Sequence, residues 1–178
     1  SETREWNVGD HDNDLETPDS AMGFEPVGEF IGSLNGKDFA ISDLYINRLK
    51  ENGVGLFGTI NDNGYVQAVH IKNAHVIGGK SVGIFVGNVY AENFEVNIVN
   101  CSSSGFVSGV SSVGGFCGFN GSRYGKASII NSYSTANVIG TWLWIGGFCG
   151  KNYAYLSNGT SIISNSYATG DAIGVRYV

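Results

Sequence analysis

The sequence is poor in cysteine, proline, histidine and charged residues. Its 178 residues include 3 cysteines, 2 prolines and 3 histidines, and 15% are charged whereas 42% are hydrophobic. A chain with so little charge and so much apolar material is expected to fold rather than to remain disordered. Three cysteines leave at least one thiol unpaired. The length fits one domain.

Clusters of basic residues and long apolar runs are both missing. The formal net charge is -6 and lysine and arginine are scattered, so nucleic acid and anionic membrane surfaces are unfavourable partners. The apolar runs are shorter than the roughly 18 residues that a membrane-spanning helix needs. We therefore expect no nucleic-acid partner and no membrane insertion.

Groups that carry acid–base chemistry are scarce as well. After Glu95 the sequence has one acidic residue, Asp171, and His11, His70 and His75 have no spacing typical of a catalytic site. Hydrolases and lyases built on β-helical scaffolds need clustered carboxylates, or a carboxylate beside a basic group. The sequence therefore predicts that the protein is not an enzyme and has no catalytic residues.

Glycine, by contrast, is abundant and recurs with a fixed period. Segments of the type VGGFCG place four glycines 28, 31 and 32 residues apart, at Gly55, Gly83, Gly114 and Gly146. A second marker recurs at intervals of 31, 31 and 34 residues, at Gly78, Gly109, Gly140 and Gly174. Two independent markers with one period define a repeat of about 31 residues.

The local pattern inside each repeat is that of strands. Short alternating runs of Val, Ile, Tyr, Phe, Thr and Ser are bounded by Gly, Asn and Ser, and helix formers are scarce. This pattern predicts strands of about 3 to 6 residues. Repeats of this kind stack as coils whose parallel strands lie about 4.8 Å apart. We therefore predict an all-β fold of stacked coils.

Equivalent positions of successive coils carry similar residues. Three asparagines share one level, at Asn100, Asn131 and Asn165, and are predicted to form a ladder of hydrogen-bonded amides. A second set is predicted to form an inward column: Val86, Cys117 and Cys149, beside Phe85, Phe116 and Phe148.

The repeat resembles the GLUG motif of bacterial surface adhesins and of the N-terminal regions of IgA-specific metalloendopeptidases. The segments NSYSTANVIG, NSYATGDAIG and IGGFCG carry the resemblance, and the stretch from Gly23 to Ile46 is similar to the opening coil of those regions. The resemblance implies a single right-handed parallel β-helix outside the cell. We expect about four to five coils over residues 23–178, preceded by an acidic segment, residues 1–22, that acts as a cap or linker. No HExxH zinc motif occurs, so protease chemistry is not implied.

A candidate calcium site lies in the acidic segment. Asp10, Asp12 and Asp14 are spaced like the start of a calcium-binding loop. An EF-hand would need Gly at the sixth loop position and Glu at the twelfth, where the chain has Leu15 and Ala21. An EF-hand is therefore excluded, which leaves a looser calcium site or a solvated acidic turn. No other cofactor is predicted.

Two cysteines occupy the same place in adjacent coils. The strand spacing of about 4.8 Å is within the Cα separation that a disulfide tolerates, so Cys117 and Cys149 are a candidate pair. The alternative is that both are buried free thiols that pack as small hydrophobic groups. Cys101 is expected to be a core or corner residue.

Two longer segments are candidates for recognition. Residues 120–127 and 152–159 follow equivalent GGFCG sequences and are predicted to project side by side from one corner. The candidate binding residues there and in the preceding turn are Arg123, Tyr124, Trp142, Trp144, Tyr153 and Tyr155. Exposed aromatic rings stack on sugars or anchor protein partners, or they simply clamp the solenoid. Sequons make Asn120 and Asn158 candidate glycosylation sites.

These observations favour a non-catalytic structural or adhesive module, secreted or at the cell surface, whose partner is a protein or glycan at a cell surface. One alternative is a filament subunit, in which copies stack head to tail, because an open solenoid end exposes unpaired backbone groups. Another is a carbohydrate-binding β-helix.

Overall fold

The computed structural model describes residues 22–175, and in these residues the chain forms strands and turns without a helix. Most runs bounded by Gly, Asn and Ser become strands of 2 to 6 residues, as expected for β-branched and aromatic residues between turn formers. Three strands are longer than predicted, with 10 residues at Ser33–Ser42, 14 at Tyr65–Gly78 and 8 at Ser102–Gly109, because pairing with the neighbouring coil continues across register shifts. The strands are β1 (Val27–Phe30), β2 (Ser33–Ser42), β3 (Tyr45–Arg48), β4 (Phe57–Ile60), β5 (Tyr65–Gly78), β6 (Lys80–Gly83), β7 (Val86–Ala91), β8 (Glu95–Val99), β9 (Ser102–Gly109), β10 (Ser111–Gly114), β11 (Cys117–Ser122), β12 (Lys126–Ile130), β13 (Tyr133–Ser134), β14 (Asn137–Gly140), β15 (Ile145–Gly146), β16 (Cys149–Ala154), β17 (Thr160–Ser164), β18 (Tyr167–Ala168) and β19 (Ala172–Gly174).

All strand pairs are parallel, and each strand pairs with its counterpart in the next coil. One face is a five-stranded sheet in the order β1-β4-β7-β11-β16, a second is the three-stranded sheet β15-β10-β6, and the remaining strands form the largest sheet. In the five-stranded sheet Val86 pairs with Cys117 and Cys117 with Cys149. The prediction of an all-β fold of stacked parallel coils is confirmed.

The glycine markers lie in register because the neighbouring coil leaves no room for a side chain. Gly114 pairs with Gly83 on one side and with Gly146 on the other. A Cβ atom on Gly83 would lie 2.6 Å from the carbonyl oxygen of Phe116, which belongs to the next coil. The period seen in the sequence is therefore a packing requirement between coils.

The core runs along the solenoid axis as columns of like residues. Phe85 and Phe116 are fully buried and stack with ring centroids 4.6 Å apart, and the Phe116 and Phe148 rings follow at 4.9 Å. Val86 and Cys117 are also fully buried. The predicted inward column is therefore confirmed.

The asparagine ladder is not where the sequence predicted it. Asn100, Asn131 and Asn165 have exposed side chains, and what they share is a left-handed backbone, with φ of 55°, 51° and 50°. Asparagine tolerates this conformation better than other residues that carry a Cβ. One amide–amide hydrogen bond occurs elsewhere, in an inward column, where Asn120 Nδ2 donates to Asn152 Oδ1 at 2.7 Å.

The two end coils are less buried than the middle of the stack. Within residues 22–175, β1 pairs on one side with β4, and β16 pairs on one side with β11. Apolar side chains are exposed at both ends, among them Phe39 at 75% and Ile173 at 61%. The predicted acidic segment, residues 1–22, lies outside the described residues except for Met22.

Candidate functional site

Exposed aromatic residues gather on the outer side of the five-stranded sheet. Successive outward positions of one column are Thr59, Asn88, Phe119 and Lys151, and the next outward column contains Tyr90, Gly121 and Tyr153. The turn after β16 adds Tyr155, and the turn before β15 adds Trp144. We call the set Tyr90, Phe119, Trp144, Lys151, Tyr153 and Tyr155 the aromatic face.

Tyr155 is the centre of the ring contacts. Its ring lies 4.9 Å from that of Tyr153 at 89°, 6.2 Å from that of Phe119 at 66° and 6.3 Å from that of Tyr90 at 82°. Edge-to-face geometry of this kind is the favoured arrangement of aromatic pairs. Because the contacts fix the rings relative to one another, the face is preorganised although Tyr155 is 49% exposed.

The side chain of Lys151 contacts three rings of the aromatic face. Lys151 Nζ lies 4.4 Å from the centre of the Trp144 ring, 4.9 Å from that of Tyr153 and 5.8 Å from that of Phe119. These are cation–π distances. Trp144 has a φ of 59°, which is unusual for a bulky residue. It takes the position that Ser112 and Ser81 have in the preceding coils.

A hydrogen-bonded polar edge runs beside the rings. Arg123 donates to Glu92 at 2.9 Å, and the Tyr90 hydroxyl is hydrogen-bonded to the same carboxylate. The hydrogen bond from Tyr90, followed by the contacts with Arg123, holds the pKa of Glu92 below its usual range. The hydrogen bond to Glu92 and partial burial raise the pKa of Tyr90 to about 12.

An open groove of about 680 Å³ is lined by residues of the aromatic face and of the polar edge. Its lining residues are Thr59, Asn88, Tyr90, Phe119, Arg123, Tyr155 and Leu156. Gly121 makes room for the Phe119 ring that lines the groove, because a Cβ atom at residue 121 would collide with that ring. The groove can therefore accept a flat ligand between ring surfaces and hydrogen-bonding groups.

The structure brings together most of the binding residues predicted from the sequence. Tyr153, Tyr155 and Trp144 belong to the aromatic face, and Arg123 lines the groove with its guanidinium 5.2 Å from the centre of the Tyr124 ring. Trp142 is 48% exposed in the turn after β14 and makes no ring contact with that face in the part of the chain described here. Whether these residues bind a partner stays a prediction.

Sequence reasoning missed Tyr90 and Phe119. They lie on strands of different coils and meet at the groove because of the register of β7 with β11. The period of about 31 residues, applied backwards from Tyr153 and Lys151, leads to Gly121 and Phe119 and then to Tyr90 and Asn88. The position of both residues on the aromatic face could therefore have been predicted from the repeat.

The two longer segments differ from the predicted paired loops. Residues 120–122 and 152–154 are the ends of β11 and β16, so the projecting parts are shorter than expected. They do lie side by side, since Tyr155 N donates to Ser122 O at 2.9 Å. Asn120 is fully buried, so its predicted place in an exposed loop is wrong and its amide is inaccessible to glycosylation in the folded chain. Asn158, the other candidate glycosylation site, is exposed.

Cys117 and Cys149 are direct neighbours in the ladder, as the sequence predicted, and both are free thiols in this structure. Burial, together with the adjacent Cys149 thiol, raises the pKa of Cys117 well above its usual range. Cys101 is 1% exposed, and burial raises the pKa of its thiol to about 11. A thiol with such a pKa is a poor nucleophile at neutral pH.

One histidine has partners that the sequence did not reveal. His70 Nδ1 lies 2.8 Å from Ser102 Oγ and His70 Nε2 lies 3.4 Å from Asp38 Oδ1. Each partner is 32 residues away, so the three side chains belong to three consecutive coils. The order carboxylate, imidazole, hydroxyl is that of an activated serine. Ser102 is only 6% exposed, and the contacts also bridge the coils.

The predicted calcium ligands Asp10, Asp12 and Asp14 lie outside the described residues. Within residues 22–175, no group of three His, Cys, Asp or Glu side chains is arranged to hold a metal ion. The same residues include no helix of the length and apolarity needed to span a membrane.

These features define a class of protein: a parallel β-solenoid of stacked coils with an aromatic outer face. Within it, residues 145–173 match the family model of the GLUG motif, which confirms the resemblance seen in the repeats.

Two relatives match parts of the chain. Halomucin of Haloquadratum walsbyi is 42% identical over 94 residues, which are 53% of this chain and 1% of that protein. A protein of Evansella cellulosilytica named as a Gly-rich membrane protein is 35% identical over 85 residues, 43% of this chain and 10% of that protein. The chain thus corresponds to a small part of the length of these curated relatives. No solved structure matches it.

Proposed function

We propose that this chain is a non-catalytic module of a secreted or cell-surface protein and that it adheres through the aromatic face. The observation that carries the proposal is the set of exposed, mutually fixed rings of Trp144, Tyr153 and Tyr155 on a rigid sheet. Exposed aromatic residues in clusters of this kind are typical of binding surfaces. The GLUG motif and a relative named as a membrane protein support the location.

The scaffold suits such a task because its stability comes from contacts between neighbouring coils rather than from the exposed side. The rings of the aromatic face lie outside the core of Phe85, Phe116 and the β-branched columns. Their substitution should therefore alter binding without unfolding the chain.

Adhesion is tested with beads that carry the protein, which are washed under flow over films of immobilised glycoprotein or polysaccharide. We expect retention of beads with the native chain and loss of retention with the triple variant Trp144→Ser, Tyr153→Ala and Tyr155→Ala. The matched control is Tyr167→Ala, which removes a tyrosine that is 55% exposed on the largest sheet. Equal retention of all three proteins would contradict the adhesive role.

The non-catalytic part of the proposal is tested at Ser102. A fluorophosphonate probe forms a covalent bond with serines that a histidine activates, and we expect no labelling of this chain. The low exposure of Ser102 is the physical reason. Labelling that disappears in His70→Ala would overturn this part of the proposal.

A second candidate function is a filament subunit in which copies stack head to tail. Within residues 22–175, the outer edges of β1 and β16 pair with no strand and apolar side chains are exposed at both ends, which favours a filament. One column of paired residues runs from Phe30 in the first coil to Asn152 in the last. If two copies stack in the register of the coils, Asn152 of one copy therefore faces Phe30 of the next. A phenyl ring packed on the Asn152 amide excludes water from it and offers no hydrogen-bond partner in return, which weakens such a joint.

Sedimentation velocity over a range of concentrations distinguishes the adhesive module from the filament subunit. A monomer at all concentrations supports the module, and elongated species that grow with concentration support the filament. Asn152→Val is the informative variant, because it removes the mismatch and should promote end-to-end association if the ends meet in this register.

A further inference from the structure

We infer that the groove between the aromatic face and the polar edge is a binding site for a neutral oligosaccharide. This inference rests on the proposed adhesive function and names the chemistry of its partner. The groove is open along one side and has a volume of about 680 Å³, which is within the range of small-molecule sites.

The groove presents both apolar and hydrogen-bonding groups. The apolar side chains that line it include Phe119, Tyr155 and Leu156, and Tyr155 and Leu156 are 49% and 40% exposed. The C–H face of a pyranose ring is apolar and packs on such rings, whereas its hydroxyl groups point sideways. Asn88, Thr59 and Arg123 lie where those hydroxyl groups would find amide, hydroxyl and guanidinium partners.

The charges at the groove favour an uncharged ligand. Arg123 lines the groove, but its guanidinium is paired with Glu92 at 2.9 Å, and Glu92 also accepts from Tyr90. An acidic sugar would have to compete with this carboxylate for Arg123, in a chain of net charge -6. A neutral sugar adds hydrogen bonds to the pair without breaking it. The site therefore favours uncharged hexopyranose units.

One backbone position determines where the Phe119 ring lies in the groove. Gly121 stands between Tyr90 and Tyr153 in its column, and the Phe119 ring lies across the space that its missing side chain leaves. A methyl group on residue 121 would displace the ring without removing any group that contacts the ligand. Gly121 is thus a positioning residue.

The test is titration of the native chain with cellohexaose and with mannohexaose at concentrations up to the millimolar range, followed by NMR and calorimetry. We expect at least one of the two to bind, with shifts at Tyr90, Phe119 and Tyr155. Phe119→Ala and Tyr155→Ala should each weaken binding roughly tenfold, which corresponds to the loss of one stacking ring. Gly121→Ala should weaken it as well.

Matched controls separate binding from folding. Tyr167→Ala removes an exposed tyrosine at the end of the solenoid and should leave the affinity unchanged, and thermal unfolding shows whether each variant is folded. Hexagalacturonate is the charged control and should bind more weakly. The inference is overturned if neither neutral probe binds, if only hexagalacturonate binds, or if the variants bind as the native chain does. Beads that still adhere in the absence of sugar binding would leave the adhesive function standing without this ligand.

Discussion

Phe85 and Phe116 stack face to face in consecutive coils, with ring centroids 4.6 Å apart and ring planes 8° apart. Both side chains are fully buried. The pair is part of a column that continues to Phe148 at 4.9 Å. Each ring therefore stabilises two interfaces, one to the coil on either side.

We expect replacement of Phe116 by alanine to destabilise the solenoid more than replacement of an exposed phenylalanine by alanine does. We expect a decrease of about 3–5 kcal/mol in the free energy of unfolding, because a large buried side chain leaves a cavity. Phe94→Ala is the control, since Phe94 is 58% exposed, and it should change stability by about 0.5 kcal/mol or less. Urea unfolding followed by circular dichroism measures both, and similar midpoints would contradict the assigned role of the column.

We expect the exposed asparagines to affect stability through their left-handed backbone conformation. Asn131 has a φ of 51° and an exposed side chain, so Asn131→Val is expected to cost about 1–2 kcal/mol of stability from left-handed strain. Asn131→Gly relieves that strain and should stay close to the native value. Thermal unfolding of the two variants provides the comparison. If glycine destabilises as much as valine does, the side chain contributes through contacts instead.

The thiols of Cys117 and Cys149 should form a disulfide when oxidised glutathione is supplied. Two thiols lose their hydrogens, the S–S bond forms, and the oxidant is reduced to two thiols. The product closes a loop of about 30 residues, which in the chain-entropy model adds about 4 kcal/mol of stability.

Intact mass should fall by two hydrogen atoms, and Cys101 should remain the one titratable thiol after unfolding. Cys117→Ser is the control that should show no intramolecular bond. Pairing that involves Cys101, or a lower melting temperature after oxidation, would argue against the ladder geometry.

The polar edge should respond to pH in opposite directions at its two titrating groups. The pKa of Glu92 is lowered by the hydrogen bond from Tyr90 and by Arg123. Its contribution to stability is therefore present above the ordinary carboxyl pKa and is lost as the pH falls through the lowered one. The pKa of Tyr90 is raised from 10.0 to about 12, so its contribution is lost as the pH rises between these values.

Tyr90→Phe separates the two groups. It should bring the pKa of Glu92 back towards its usual range, as measured by NMR titration of the carboxyl carbon. Tyr124→Phe leaves the Glu92 hydrogen bonds intact and serves as the control. An unchanged Glu92 pKa in Tyr90→Phe would mean that Arg123 alone holds it.

The architecture could be predicted from the sequence because the residues that recur in the repeat are those that pack between coils. Gly55, Gly83 and Gly114 recur where coils approach too closely for a side chain, and Phe85 and Phe116 recur where rings stack. A solenoid has contacts mainly between neighbouring coils, so its period along the chain is also its period in space. The GLUG resemblance followed from the same regularity.

Only the tertiary structure decided which side of the wall each residue faces and which residues meet across coils. Asn120 was expected in a loop and lies inside the solenoid, hydrogen-bonded to Asn152. Phe119 and Tyr90 were not recognised, and they line the groove together with Arg123. Strand alternation reverses the direction of a side chain with every residue, so a boundary displaced by one position moves a residue from the surface to the core.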